Sequence, residues 1–464
     1  MKRYPYFPSI LALLCFHAAS CIQAQTNHQL EQATLEPNLS SSFMMPQLRY
    51  NNALAIQTTN KGQFLFQTEP AQRGYSSQQP VSLPEWATSA IQTSQLVCDQ
   101  RIPMDSVFNG SIYIIDEPGS YYFTDNIAIS GNNADGIRIN VSHVTIDLNG
   151  YNLSGAMNAR DGIVVGGGRK NIVIKNGTVS DWQRHGVNAL SASESIFMDL
   201  IASNNGGDGI VARDNCLIHK CVAAGNGFDG LEVRNASIIS NSAANDNGDN
   251  GIQTNEGALV INCTSYQNEV DGFALEAGCR IENCNAYQNG EYGIDLGLGG
   301  QVINCIANEN RSNGIDLASS CIAINNAANR NGRCHLDGNG CSGLSDDGAG
   351  IRCFANAQII DNTCNDNIMG IRISSTDAYA SGNYVEGNRH AGLVATSSGS
   401  FIIRNRGVSN GFSPIQDLLN SSGNPTGNIV IDANSAFGPI INVSNAGNLL
   451  NVVGADHPYA NFEY

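Results

Sequence analysis

Residues 281–296 read IENCNAYQNGEYGIDL and residues 302–317 read VINCIANENRSNGIDL. The offset is 21, and Asn, Cys, Ala, Asn, Gly, Ile, Asp and Leu all return in register. A Gly followed by an apolar residue recurs twelve times from Gly136 to Gly392, at a strict spacing of 21 between Gly209 and Gly314. A fixed period of this size means a solenoid, in which each repeat buries its apolar side against its neighbours. After each Gly the chain alternates, as in GIRIN, GIVVG, GLEVR, GIDLG and GIRIS. That is the pattern of a strand with one face in and one face out. A second short apolar strand falls later in each unit, as in SIIS, LVIN and QVIN. No helical period fits between them.

Polar residues run in files through the repeat. Asn205, Asn226, Asn247, Asn268, Asn289, Asn310 and Asn331 are each 21 apart, and Asn241, Asn262, Asn283, Asn304 and Asn325 form a second file. A buried Asn is costly unless its amide is paired. Stacked coils bring equivalent side chains to about 4.8 Å, close enough for amide to bond amide. Asn also tolerates the left-handed backbone of sharp corners. Cys221, Cys263, Cys284 and Cys305 share a file with Ser242 and Asn326, and Cys216, Cys279 and Cys321 share one with Ser237 and Ala258. Files that accept Ser or Ala read as demanding a small residue, so these cysteines are expected to be buried thiols rather than bridges. Cys334 and Cys341 flank HLDGNG in an insertion and are expected to close a loop disulfide; a Cys353–Cys364 pair is left open.

A leucine-rich repeat shares the period and the Asn and Cys file, but units such as NCNAYQNGEYGIDLGLGGQVI lack its Leu scaffold. The calcium-binding nonapeptide pattern is absent. The expected fold is therefore all-β: a single-stranded parallel β-helix of about twelve coils.

Residues 1–24 read as an export signal, with Lys2 and Arg3 before a short apolar run from Ile10 to Ala19. HAASC offers an alternative, lipidation of Cys21. Residues 25–105 are rich in Gln, Ser, Asn and Thr and read as a flexible leader, 106–400 as the β-helix, and 401–464 as its last coils and cap. The chain is expected to act outside the cytoplasm as a monomer, with no transmembrane segment. A net charge of −17 argues against a nucleic-acid partner, which needs a basic face.

The segments IDEPGSYYFTDNIAISG, GIRINVSHVTIDLNGYNLSG and NIVIKNGTVS, the NG..GI.L coils and the tail GPIINVSNAGNLLNVVGADHPYANFEY resemble the bacterial right-handed parallel β-helix repeat family of the pectate-lyase-like superfold. The resemblance covers roughly residues 106–464. It implies right-handed coils and a polysaccharide lyase, glycoside hydrolase or epimerase among the possible activities, without choosing one. SDDG at 345–348 and GIRIS at 370–374 are faintly similar to the polygalacturonase motifs, but no Gly-His-Gly lies between them and Ser374 stands where Lys is required.

Chemistry is sought on the outward face of one sheet. Two residues after Gly, four successive coils carry Asp295, Asp316, Arg352 and Arg372. Two stacked carboxylates in a groove would have one pKa raised, giving an acid beside a base, with the arginines holding an acidic sugar. Four residues after Gly, Arg213, Arg234 and Glu276 add substrate-binding charge. The insertion between Asn331 and Gly350 adds His335, Asp337, Asp346 and Asp347, and Asp316, Asp346 and Asp347 are candidate calcium ligands. Asp135, Asp161, Asp208, Asp229 and Asp271, each before a Gly, read as turn residues, as does His185. The functional expectation is an exported protein that binds or processes a polysaccharide, acidic by this reading. The alternative is a non-catalytic envelope adhesin or structural rod.

Overall fold

The computed structural model describes residues 101–104, 113–130, 133–156, 159–332, 348–395, 397–411, 427–431, 436–437, 440–442 and 457–463, together with two earlier strands. The chain divides into two units, Met1–Arg101 and Ile102–Tyr464. In the first, Leu54–Thr58 pairs antiparallel with Phe64–Thr68. The signal segment, Cys21, Cys334, Cys341, His335, Asp337, Asp346 and Asp347 lie outside the described residues.

The second unit is a stack of coils built from parallel strands, and the described residues contain no helix. A regular coil uses three strands. Ile294–Leu296 lies in sheet 1, Gln301–Ile303 in sheet 2 and Ile306–Asn308 in sheet 3, and Ile315–Leu317 begins the next coil. Sheet 1 has 14 strands, from Tyr113–Ile115 to Gly427–Ile431. Sheets 2 and 3 are joined where Ile172–Ser180 and Ile196–Ser203 each run through both. Inward side chains such as Ile294, Leu296, Val302 and Ala307 are fully buried and form one continuous core.

Two features differ from the sequence reading. The twelve Gly-marked strands are extended by Tyr113–Ile115 at one end and by Gly427–Ile431 at the other, where Asn428 stands in the register of the Gly. The third strand was also hidden. Through the 21-residue coils its single inward residue is Ala or Ser, as at Ala244, Ser265, Ala286, Ala307 and Ala328. Such small residues carry no apolar signal.

The first Asn file holds the coils together. The Nδ2 of Asn268 donates to Oδ1 of Asn289 at 3.0 Å, and the Asn268 backbone N–H donates to the same oxygen at 3.2 Å. The pattern runs unbroken from Asn205 through Asn331 and on to Asn367, Asn388 and Asn410. Each unpaired buried group here would cost about 1–3 kcal/mol. The Gly file exists to admit this ladder: a Cβ on Gly230 would sit 2.6 Å from the Gly251 carbonyl oxygen and 2.7 Å from Asn247 Nδ2. The second Asn file does different work. Asn241, Asn262, Asn283, Asn304 and Asn325 adopt φ of 51–61° at the corner between sheets 2 and 3.

Among the described residues nine cysteines are free and buried, Cys353 and Cys364 among them. Smallness is not their whole reason. Cys221 N–H donates to Ser242 Oγ, Cys263 N–H to Cys284 Sγ, and Cys305 N–H to Asn326 Oδ1 at 2.8 Å. The file demands an acceptor for the backbone of the preceding coil. From Asn326 onward, Asn362, Asn383, Asn405 and Asn461 supply it as a second amide ladder.

Candidate active site

Register places Asp295, Asp316, Arg352 and Arg372 side by side on four successive strands of sheet 1. The insertion lengthens the Asp316–Arg352 repeat to 36 residues without shifting that register. Asp316 is buried. Its carboxylate faces the Arg352 guanidinium in a two-point ion pair, with Nη2 donating to Oδ2 at 3.0 Å and Nε to Oδ1. Asn313 Nδ2 also donates to Oδ1, at 3.0 Å, while Asn313 Oδ1 accepts the Ala349 N–H at 2.9 Å. Arg352 is pinned further, by Nη2 donating to Tyr292 Oη at 3.4 Å and by the rings of Tyr292 and Phe354, whose centres lie 5.7 and 5.4 Å from the guanidinium carbon. Of the three carboxylates expected to hold calcium, Asp316 alone is among the described residues, and both its oxygens are engaged this way.

Among the described residues no cation is ion-paired to Asp295 in this way. Burial pushes its carboxyl up to about 6, the adjacent Asp316 charge adds to the rise, and Arg352 opposes it. A groove of about 430 Å³ runs along the coil axis over this point. Gln253, Glu276, Asp295, Asp316, Leu298 and Phe354 are among its walls. Two carboxyl groups one rung apart thus sit in different settings: Asp316 is clamped by a guanidinium, whereas Asp295 is buried without that clamp and is protonatable near neutrality.

Glu276 lines the groove. Arg372 sits one rung beyond Arg352 and is not among the lining residues. Arg213 and Arg234 lie three to four rungs away, ion-paired to Asp214 at 3.4 Å and Glu232 at 2.9 Å. Sequence reasoning missed Tyr292, Asn313, Leu298 and Phe354. These come from turns, where no alternation announces which way a side chain points.

A second acidic group joins two of the Asp read as turn residues to a strand residue, Glu232. Asp208, Asp229 and Glu232 are all buried, with one carboxylate oxygen of each within 4.8 Å of the others. The turn reading explains part of this. Asp208 Oδ1 accepts the Asp229 N–H at 3.1 Å, Asp229 Oδ1 accepts the Asn250 N–H at 2.9 Å, and Asp271 Oδ1 accepts the Tyr292 N–H at 2.8 Å. His185 Nδ1 lies 3.0 Å from Asp208 Oδ2. Burial, then the charge of Asp208, pushes Asp229 up to about 7. Burial also raises Asp271 to about 7, against the Tyr292 hydrogen bond.

Residues 112–257 and 203–331 match the family model described as "Right handed beta helix region". The chain is a right-handed parallel β-helix protein. Among solved structures it is similar to the A-modules of two Azotobacter vinelandii mannuronan C-5 epimerases. AlgE4 is 17% identical over 68% of this chain and 91% of that module, with a TM-score of 0.42. AlgE6 is 16% identical over 69% and 91%, with a TM-score of 0.45. The catalytic unit of an α-1,3-glucanase from Streptomyces thermodiastaticus is 14% identical over 75% of this chain and 66% of that one, with a TM-score of 0.37. Likeness at this level identifies no chemistry. No curated protein matches the chain. Among the described residues, no helix is long and apolar enough to cross a membrane.

Proposed function

We propose that the chain is an exported protein that binds and cleaves a polysaccharide in the groove over Asp295, Asp316 and Arg352. One observation carries this reading: a carboxyl raised to about 6 stands one rung from a carboxylate clamped by arginine, in an elongated groove. Protonated Asp295 gives its proton to the glycosidic oxygen as the C–O bond breaks. Asp316, clamped in place by Arg352, stabilises the positive charge growing at the anomeric carbon. Water adds to that carbon and passes its proton to Glu276, the exposed carboxylate on the same wall.

The test is incubation of the full chain with a panel of polyuronides and neutral glycans, with and without calcium. Product is followed by reducing ends and by the ultraviolet absorbance of unsaturated ends. New reducing ends, lost in Asp295→Asn and unaffected by chelation, are expected. Ultraviolet-absorbing ends would replace hydrolysis by elimination. No product on any glycan would refute the enzyme reading and leave the non-catalytic rod.

A further inference from the structure

The charge and shape of the groove say which glycan it takes, an inference that rests on the groove being a glycan site. The walls follow one register line, Gln253, Ala274, Asp295, Asp316 and the coil of Phe354, so the groove lies along the stack with one rung per step. Four steps of about 4.8 Å give roughly 19 Å. A pyranose unit advances a glycan chain by a similar distance, so each rung faces about one sugar.

Two observations then bear on the sugar's chemistry. The first is charge. Glu276, Asp295 and Asp316 line the groove, and the charges of Asp295, Glu291 and Asp316 lie close enough to the buried Asp271 to raise its carboxyl. Among the described residues, Arg352 is the one cation shown in contact with the lining carboxylates, and it is committed to Asp316. Arg372 stands outside the lining. A polyuronide brings one carboxylate per sugar and would meet Glu276 and Asp295 on adjacent rungs, neither in an ion pair with a described cation. Each such encounter in a partly desolvated site weakens binding by roughly tenfold or more.

The second is apolar surface. Leu298 is 59% exposed and Phe354 37% exposed, and both line the groove. Exposed large apolar side chains beside polar groups mark ligand grooves. The C–H faces of a pyranose are apolar and electropositive, and they stack on the negative face of an aromatic ring. Phe354 is positioned for this by its own coil, directly after the strand that carries Arg352.

We infer that the groove selects a neutral glycan, with Phe354 and Leu298 as stacking walls and Glu276 as the residue that turns polyuronides away. This departs from the acidic substrate expected from the Arg352 and Arg372 stripe, because the pairing of Arg352 removes its charge from the groove.

Affinity electrophoresis of the full chain tests the inference, with the gel containing in turn soluble β-1,3-, β-1,4- and α-1,3-linked glucans, mannan, xylan, polygalacturonate and alginate. Retardation is expected with at least one neutral glycan and with neither polyuronide at physiological salt. Phe354→Ala should weaken that retardation at least tenfold while its circular dichroism melt stays close to the parent. Glu276→Gln should bring polyuronide retardation closer to neutral-glycan retardation. Stronger retardation by a polyuronide than by any neutral glycan would overturn the inference and leave the glycan site standing. Unchanged neutral binding in Phe354→Ala would remove the stacking wall. No retardation by any glycan would sink the groove as a glycan site, and the inference with it.

Discussion

Replacing Arg352 by Met is the most informative single change in the groove. The side chain keeps similar length and apolar surface but loses the charge that compensates Asp316. Asp316 is 9% exposed at its side chain and Arg352 17%, so solvent screens the pair only in part. Breaking a buried pair by removing one partner costs about 3–5 kcal/mol. The contacts of the guanidinium with Tyr292 and Phe354 add about 0.5–1 kcal/mol each at a site of this exposure. Allowing for screening, the expected loss is about 3 kcal/mol in urea unfolding of the full chain. Most of it should return in the Arg352→Met/Asp316→Asn double variant. There the amide needs no counter-charge, and Asn313 Nδ2 can still donate to its oxygen. The Asp295 carboxyl should rise further in Arg352→Met, because the guanidinium is the group that lowers it. A loss under 1 kcal/mol, or a double variant no more stable than the single one, would refute the claim that Arg352 exists to hold a buried anion.

Three further outcomes are expected. Asn289→Ala should cost about 2–4 kcal/mol, because Asn268 loses a partner for both its N–H and its amide, whereas Asn304→Ala at the exposed corner should cost about 1 kcal/mol; equal losses on denaturation would contradict the ladder. Gly293→Ala should destabilise more than Gly299→Ala: its Cβ would lie 2.5 Å from Asn310 Nδ2, while Gly299 has open space and only its positive φ at stake. Stability should fall as pH rises. Asp229 and Asp271 reach about 7 in the fold against an ordinary 3.8, so the folded chain binds more protons than the unfolded one between roughly pH 4 and 7. Each group contributes at most about 4 kcal/mol of penalty once both states are ionised. The melting temperature at pH 5 should therefore exceed that at pH 8 by several degrees; a higher value at pH 8 would show that these carboxyls are compensated.

The period was the most legible part of the fold, because a strict 21-residue return of Gly and Asn leaves few architectures open. It even survived the insertion: Arg352 lands beside Asp316 although the repeat there is 36 residues long. What the period could not convey was anything held by small residues or by turns. The third sheet hid behind Ala286 and Ala307, and the last strand of sheet 1 lacked its Gly. In the groove, the Asp295–Asp316–Arg352 line followed from register alone. Its consequences did not: whether Arg352 faces substrate or Asp316 is decided by Asn313, Tyr292 and Phe354, which are turn residues with no periodic signature. The buried carboxyls of Asp229 and Asp271 were equally opaque, since a capping Asp and an uncompensated Asp look alike in a sequence.

The account depends on a buried carboxyl in the groove, Asp295, that holds its proton to about 6 beside an arginine-clamped neighbour. Titration of Asp295 by carboxyl carbon NMR, assigned by the resonance that disappears in Asp295→Asn, measures this most directly. A midpoint near 6, moving upward in Arg352→Met, is the expected result. A midpoint near 4 that ignores Arg352 would show that Asp295 is an ordinary surface carboxylate, and the proposed acid would have no proton to give.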